Sequence, residues 1–189
     1  MAQDALFILD SLLSKEPIGS RFADHIDEKR IGMFGHSLGG AAALEVCRIS
    51  FRFKACADLD GSVWGKVEME GVNLPYLVLL NVPTEARRPP AAIRKQRDDE
   101  WAAVVSKKKT RSFIVKIDGT FHLSFSDIPF IVPKALLEKH GADLPPTRGL
   151  EIITSVLDAF FTEYLNDGKS SPFKILEQYK EVAIETYHQ

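Results

Sequence analysis

The stretch Gly35-His36-Ser37-Leu38-Gly39 lies between an apolar run at 31–34 and the small-residue run Gly40-Ala41-Ala42-Ala43-Leu44. Its G-x-S-x-G pattern reads as a strand, a very tight turn and a helix whose first turn carries little side-chain bulk. A serine on such a turn is held in a strained backbone conformation beyond the sheet, with its hydroxyl exposed. Gly35 and Gly39 are expected where a Cβ would collide with the chain folding back on itself. The helix N-terminus turns its free N–H groups toward the serine. Ser37 is the candidate nucleophile, and the backbone N–H of Leu38 is a candidate oxyanion donor.

Working outward, residues 2–13 carry Ala5, Leu6, Leu9, Leu12 and Leu13 at helical spacing. Pro17 and Gly19 should end that helix. The serine strand is expected at about 30–36, its helix to about Ile49, and a second strand at 54–59 ending in Asp60-Gly61. Residues 62–73 look irregular. The continuous apolar run 76–82 is the mark of a strand covered on both faces. A helix should follow Pro89-Pro90 to about Ser106, then a fourth strand at 112–117 and the loop carrying Phe121-His122. Helices are expected at 130–139, at 150–165 with Asn166 and Gly168 capping it, and at 172–189. Strands alternating with helices imply a parallel sheet, whose ligands bind beyond the carboxyl ends of the strands. Ser37, Asp60 and His122 are all expected at that rim.

The chain has 189 residues, enough for one domain with a sizeable core. A net charge of −2 gives no reason to expect nucleic acid as a partner. No signal peptide or bilayer-spanning run is visible, so the default expectation is a cytoplasmic chain. Cys47 and Cys56 read as reduced core residues, and no metal-ligand spacing or cofactor motif is present. The basic residues Arg87, Arg88, Arg94, Lys95, Arg97, 107–109 and Arg111 read as a solvated face, with phospholipid head groups as the alternative. Phe121, Phe125, Phe130, Ile131 and Leu136 fit either an acyl-binding or interfacial surface or core packing.

A serine hydroxyl needs a base to take its proton, and the base needs a third group to orient it. Of five histidines, only His122 follows a strand on a loop at the expected rim. His36 reads as packing, with its ring turned away from Ser37. His25, His140 and His188 lie on a connection, beside a helix end and at the terminus. Asp60 ends the strand next to the serine strand and is the leading acid, with Glu85, on the loop after the next strand, as the alternative. Asp58 sits one step deeper, where a carboxylate is costly to bury. Asp118 and Asp127 suit turns or helix caps. The order Ser…Asp…His is that of an α/β-hydrolase.

Arg30-Ile-Gly-Met-Phe-Gly-His-Ser-Leu-Gly-Gly-Ala, then Asp58-Leu-Asp-Gly, then Ile117-Asp-Gly-Thr-Phe-His-Leu-Ser-Phe-Ser-Asp127 resembles the platelet-activating factor acetylhydrolase family of isoform II type. The helix around Ala159-Phe-Phe-Thr-Glu-Tyr-Leu is similar to that family's last helix. The resemblance runs through nearly the whole chain and maps the family's serine, acid and histidine onto Ser37, Asp60 and His122. It implies a calcium-independent serine esterase acting on short or oxidised sn-2 acyl esters of phospholipids; no cofactor is expected, and peripheral contact with a lipid surface is the alternative expectation for the basic residues.

Members of that family carry a further N-terminal half, with the first strands of the sheet and the loop supplying a second oxyanion N–H. This chain begins about one helix before its serine strand, so a single domain comprising the C-terminal part of the fold is expected. The serine strand would then present an exposed, apolar edge, a template for self-association. A truncated gene model, a fragment, or half of a homo-oligomer each accounts for that. Two further readings stand beside the first. One is a general carboxylesterase or dienelactone-hydrolase-like enzyme; the other is an inactive half-domain that works by binding itself or a partner.

Overall fold

The computed structural model describes residues 1–14, 19–107, 110–166 and 172–187. Helix α1 spans Ala2–Leu13, β1 Gly32–His36, α2 Leu38–Ile49, β2 Ala55–Leu59, α3 Val67–Glu70 and β3 Tyr76–Val82. They are followed by α4 (Ala91–Val105), β4 (Ser112–Asp118), α5 (Ile128–Ile131), α6 (Lys134–Lys139), α7 (Pro146–Leu165) and β5 (Val182–Tyr187). The sheet order is β1-β2-β3-β4-β5, with parallel pairing from β1 to β4 and β5 antiparallel to β4.

Strand alternation sends apolar side chains to both faces, as a sheet sandwiched between helices requires. Cys56, Tyr76, Val78, Leu80 and Ile114 face one way, into a core shared with Leu9 of α1, Leu44 and Val46 of α2, and Trp101 and Val104 of α4. Ala57, Leu59, Leu77, Leu79, Phe113, Val115 and Ile117 face the other way, against Ile152, Val156 and Phe160 of α7. The buried run at β3 is the strand whose continuous hydrophobicity is clearest in the sequence.

Four expectations about the fold need correction. The described part of the amphipathic helix expected over 172–189 is not helical in that way: over 172–187 a 3-10 helix, Pro172–Gln178, leads into β5. The alternation Val182-Ala-Ile-Glu-Thr-Tyr187 suits a half-covered edge strand, and Glu185 pairs there with Lys116 of β4. Residues 130–139 are split into α5 and α6, because Pro133 has no N–H to carry a helix through. Cys47 and Cys56 are not reduced; they form a disulfide between α2 and β2, with Cα atoms 6.3 Å apart. Sequence could not pair them, because their approach depends on α2 packing back over β2. Within 62–73 the short α3 interrupts the expected irregular path. Pro17, Lys108, Lys109, Gly168 and His188 lie outside the described residues.

Among the described residues β1 is an edge. It pairs with β2 alone, and Phe34 at its centre is 57% exposed beside the Phe161 ring of α7. No helix among them is long and apolar enough to cross a membrane.

Candidate active site

The strand ladders run one residue beyond β1 and β2. Ser37 N–H donates to the Leu59 carbonyl at 2.9 Å and Asp60 N–H to the Leu79 carbonyl at 2.8 Å. Both residues then turn to positive φ, 56° and 54°, the only non-glycine residues to do so among those described. Such backbone is unfavourable for residues bearing a Cβ and persists only where the surroundings impose it. Its effect is to re-aim each side chain. Simple alternation would send Asp60 to the face of Asp58, whereas the reversal turns it toward His122.

The tight turn at Ser37 depends on two glycines, though not the expected two. A Cβ on Gly35 would strike the Gly39 carbonyl, whereas one on Gly39 would meet nothing within 4 Å. The second close approach is at Gly40, where a Cβ would collide with the Asp58 carboxyl group and the Gly35 carbonyl.

After β4, Gly119 N–H is bound to the Val82 carbonyl and the buried Thr120 hydroxyl to the Ile117 carbonyl. That anchors the loop from which His122 opens a 3-10 helix over His122–Phe125. His122 Nε2 lies 3.0 Å from Ser37 Oγ and its Nδ1 lies 2.7 Å from Asp60 Oδ2. A carboxylate can only accept, so Nδ1 carries the proton and Nε2 is left to accept from the serine hydroxyl. The histidine is half-exposed and Asp60 is buried. Glu85 is 84% exposed and pairs with Arg88, away from this relay. Asp118 and Asp127 lie at the end of β4 and before α5.

Three contributions to the site were not foreseen from the sequence. Asn81 holds Asp60 from two sides: its backbone N–H donates to Oδ1 at 2.8 Å and its side-chain amide to Oδ2 at 2.5 Å. A polar residue inside the apolar run 76–82 was the available signal. His36 packs, as expected, but against the histidine of the relay itself. Its Nε2–H donates to the His122 carbonyl at 2.9 Å, and its ring lies 4.6 Å from that of His122. Burial holds its pKa below the ordinary imidazole value, so it stands neutral beside His122. The third is Arg97, which lines a cleft of about 370 Å³ together with Ser37, Leu38, Asp60, Trp64 and His122.

Asp58 is fully buried beneath the turn. Burial raises its carboxyl to about 8; Oδ1 accepts the Gly61 N–H at 2.6 Å and Oδ2 has no partner. The Leu38 N–H opens α2 and has no acceptor among the described residues. The phenylalanines divide: Phe121 and Phe125 are buried, whereas Phe130, Ile131 and Leu136 are exposed. Among the described basic residues, Arg88 pairs with Glu85, Lys95 with Asp99 and Arg111 with Glu163.

The chain is similar in sequence and in fold to known proteins. A probable 1-alkyl-2-acetylglycerophosphocholine esterase of Arthroderma benhamiae is 28% identical over 178 residues, covering 84% of this chain and 41% of that protein. The platelet-activating factor acetylhydrolase of Gallus gallus is 26% identical over 154 residues, covering 76% of this chain and 33% of its own. The chain thus spans less than half the length of either relative. The solved structure of a ferulic acid esterase from Streptomyces cinnamoneus superposes with a TM-score of 0.76 at 26% identity, over 97% of this chain and 53% of that one. The mostly parallel sheet and its helices are an α/β-hydrolase fold. The family described as platelet-activating factor acetylhydrolase, isoform II, matches residues 9–173, and the chain belongs to that family.

Proposed function

We propose that the chain is the nucleophile-bearing part of a serine esterase that hydrolyses short or oxidised sn-2 acyl esters of phospholipids. The observation that carries this reading is the Ser37–His122–Asp60 relay, with links of 3.0 and 2.7 Å. His122 Nε2 takes the Ser37 proton as Oγ attacks the ester carbonyl, and Asp60 steadies the imidazolium that forms. The carbonyl oxygen becomes an oxyanion, toward which the Leu38 N–H donates. His122 then protonates the departing alcohol, leaving an acyl group on Ser37. Water, deprotonated by His122, attacks that acyl carbon, releases the acid and restores the hydroxyl. Each oxyanion donor is worth ~10²–10³ in rate.

The phospholipid ester is supported by the family and by the names of the two relatives. The ferulic acid esterase neighbour favours a second reading, a carboxylesterase of broader acyl range. The exposed β1 edge favours a third, a chain that associates with itself and does no chemistry. A fluorophosphonate probe, ester profiling and size-exclusion mass separate them. The first reading expects labelling that Ser37→Ala abolishes, with phospholipid esters cleaved in preference to nitrophenyl esters. Labelling or turnover that survives Ser37→Ala would remove it.

A further inference from the structure

We infer that Arg97 forms an anion-binding subsite in the cleft beside Ser37, so that the favoured ester carries a carboxylate or phosphate oxygen near the bond that is cleaved. The inference rests on the esterase reading of the cleft and adds the charge of the substrate to it.

Arg97 projects from α4, the helix anchored in the core by Trp101, and is half-buried in the cleft wall. Its neighbours on α4 have their own partners: Lys95 pairs with Asp99, Asp98 with Lys116, and Arg94 bonds to the Pro89 carbonyl. Arg97 has no carboxylate within ion-pair distance among the described residues. One N–H of Nη2 reaches the Asn81 carbonyl at 3.3 Å, and Nε is buried without an acceptor. Asp60, the nearby acid of the cleft, is already bound by His122 and by both N–H groups of Asn81. A partly buried guanidinium without a counter-ion is unfavourable, and its planar fork matches a carboxylate or phosphate edge. The Asn81 contact sets that fork at a fixed place relative to Asp60, because Asn81 binds both. The basic cluster read from the sequence as one solvated face therefore divides, with Arg97 turned into the cleft.

The test reads binding rather than turnover, in the Ser37→Ala protein. The chain has two tryptophans; Trp64 lines the cleft and Trp101 lies in the core, so their two indole N–H resonances give a reporter and an internal control. The probes are monomethyl glutarate (an ester with a free carboxylate), dimethyl phosphate (a phosphodiester anion) and dimethyl glutarate (a neutral ester). At least one anion should move the Trp64 resonance with an affinity about 10–100-fold tighter than the neutral ester, the range of a charge-assisted pair. A preference for the glutarate anion puts the charge on the acyl side; a preference for the phosphate anion puts it on the head-group side. In Ser37→Ala/Arg97→Gln, which keeps a donor for the Asn81 carbonyl but no charge, the preference should vanish. In Ser37→Ala/Arg97→Lys part of it should remain, and this variant decides the matter if the Gln variant disturbs the Trp101 resonance. Anion preference that persists without the Arg97 charge, or equal binding of all three probes, overturns the inference. Turnover surviving Ser37→Ala would instead count against the esterase reading and leave this binding result intact.

Discussion

Replacing Asp58 with Asn should stabilise the chain, by an amount that grows with pH. In the folded chain the Asp58 carboxyl is fully buried, with one oxygen on Gly61 N–H and the other unpartnered, and titrates at about 8. In the unfolded chain it titrates near the ordinary aspartate value of about 3.9. Its folded pKa is raised, so its contribution to stability is complete below about pH 4 and is lost as pH rises toward 8. Each pH unit within that window costs about 1.4 kcal/mol, because the unfolded state has released a proton that the folded state keeps. At pH 7 the deficit is about 4 kcal/mol, and at pH 5 about 1.5 kcal/mol. Against a typical total of about 5–15 kcal/mol, that is a large fraction.

Asn has the same shape, keeps the acceptor for Gly61 and does not titrate. Its unpartnered amide replaces the unpartnered O–H of the protonated acid, so those desolvation terms nearly cancel. Urea unfolding of both proteins at pH 5, 6 and 7 isolates the effect, since other titrating groups drop out of the difference. The variant's advantage should rise by about 1 kcal/mol or more per pH unit. An advantage that does not change with pH would mean that Asp58 is ionised in the folded state, and would refute the reasoning.

Asp60→Asn should slow fluorophosphonate labelling of Ser37 by ~10⁴, because an amide no longer enforces the Nδ1–H tautomer of His122; labelling within ten-fold of the native rate would contradict it. His36→Phe keeps the ring contacts with His122 and Phe125 but deletes the bond to the His122 carbonyl. One lost hydrogen bond corresponds to roughly 2–10-fold in labelling rate, and an unchanged rate would show that the bond does not hold His122 in place. The Cys47–Cys56 bridge closes a short loop between α2 and β2. Cys47→Ala/Cys56→Ala should therefore lower stability by about 2–3 kcal/mol. Two free thiols titrated in the denatured, unreduced protein would show that the bridge is not formed.

The alternation of apolar runs with helical periodicity was enough to read a helix-flanked parallel sheet, because strand and helix periods are local properties of the chain. It was also enough to expect Ser37, Asp60 and His122 at one rim, since parallel strands all end on the same side. Short-range chemistry at Gly35 was legible for the same reason: the turn is made by neighbours in sequence. What the chain could not disclose are relations between residues far apart along it. Asn81 meets Asp60 across 21 positions and His36 meets His122 across 86, and each contact exists only because separate strands end together. The reversal of φ at Asp60 likewise needs its tertiary surroundings, since a residue with a Cβ adopts positive φ only at a cost, even though aspartate tolerates it better than most. The C-terminal segment became a strand because β4 offered an unpaired edge, so tertiary pairing outweighed a weak helical pattern. The disulfide and the inward turn of Arg97 were decided in the same way, by which elements came to lie side by side.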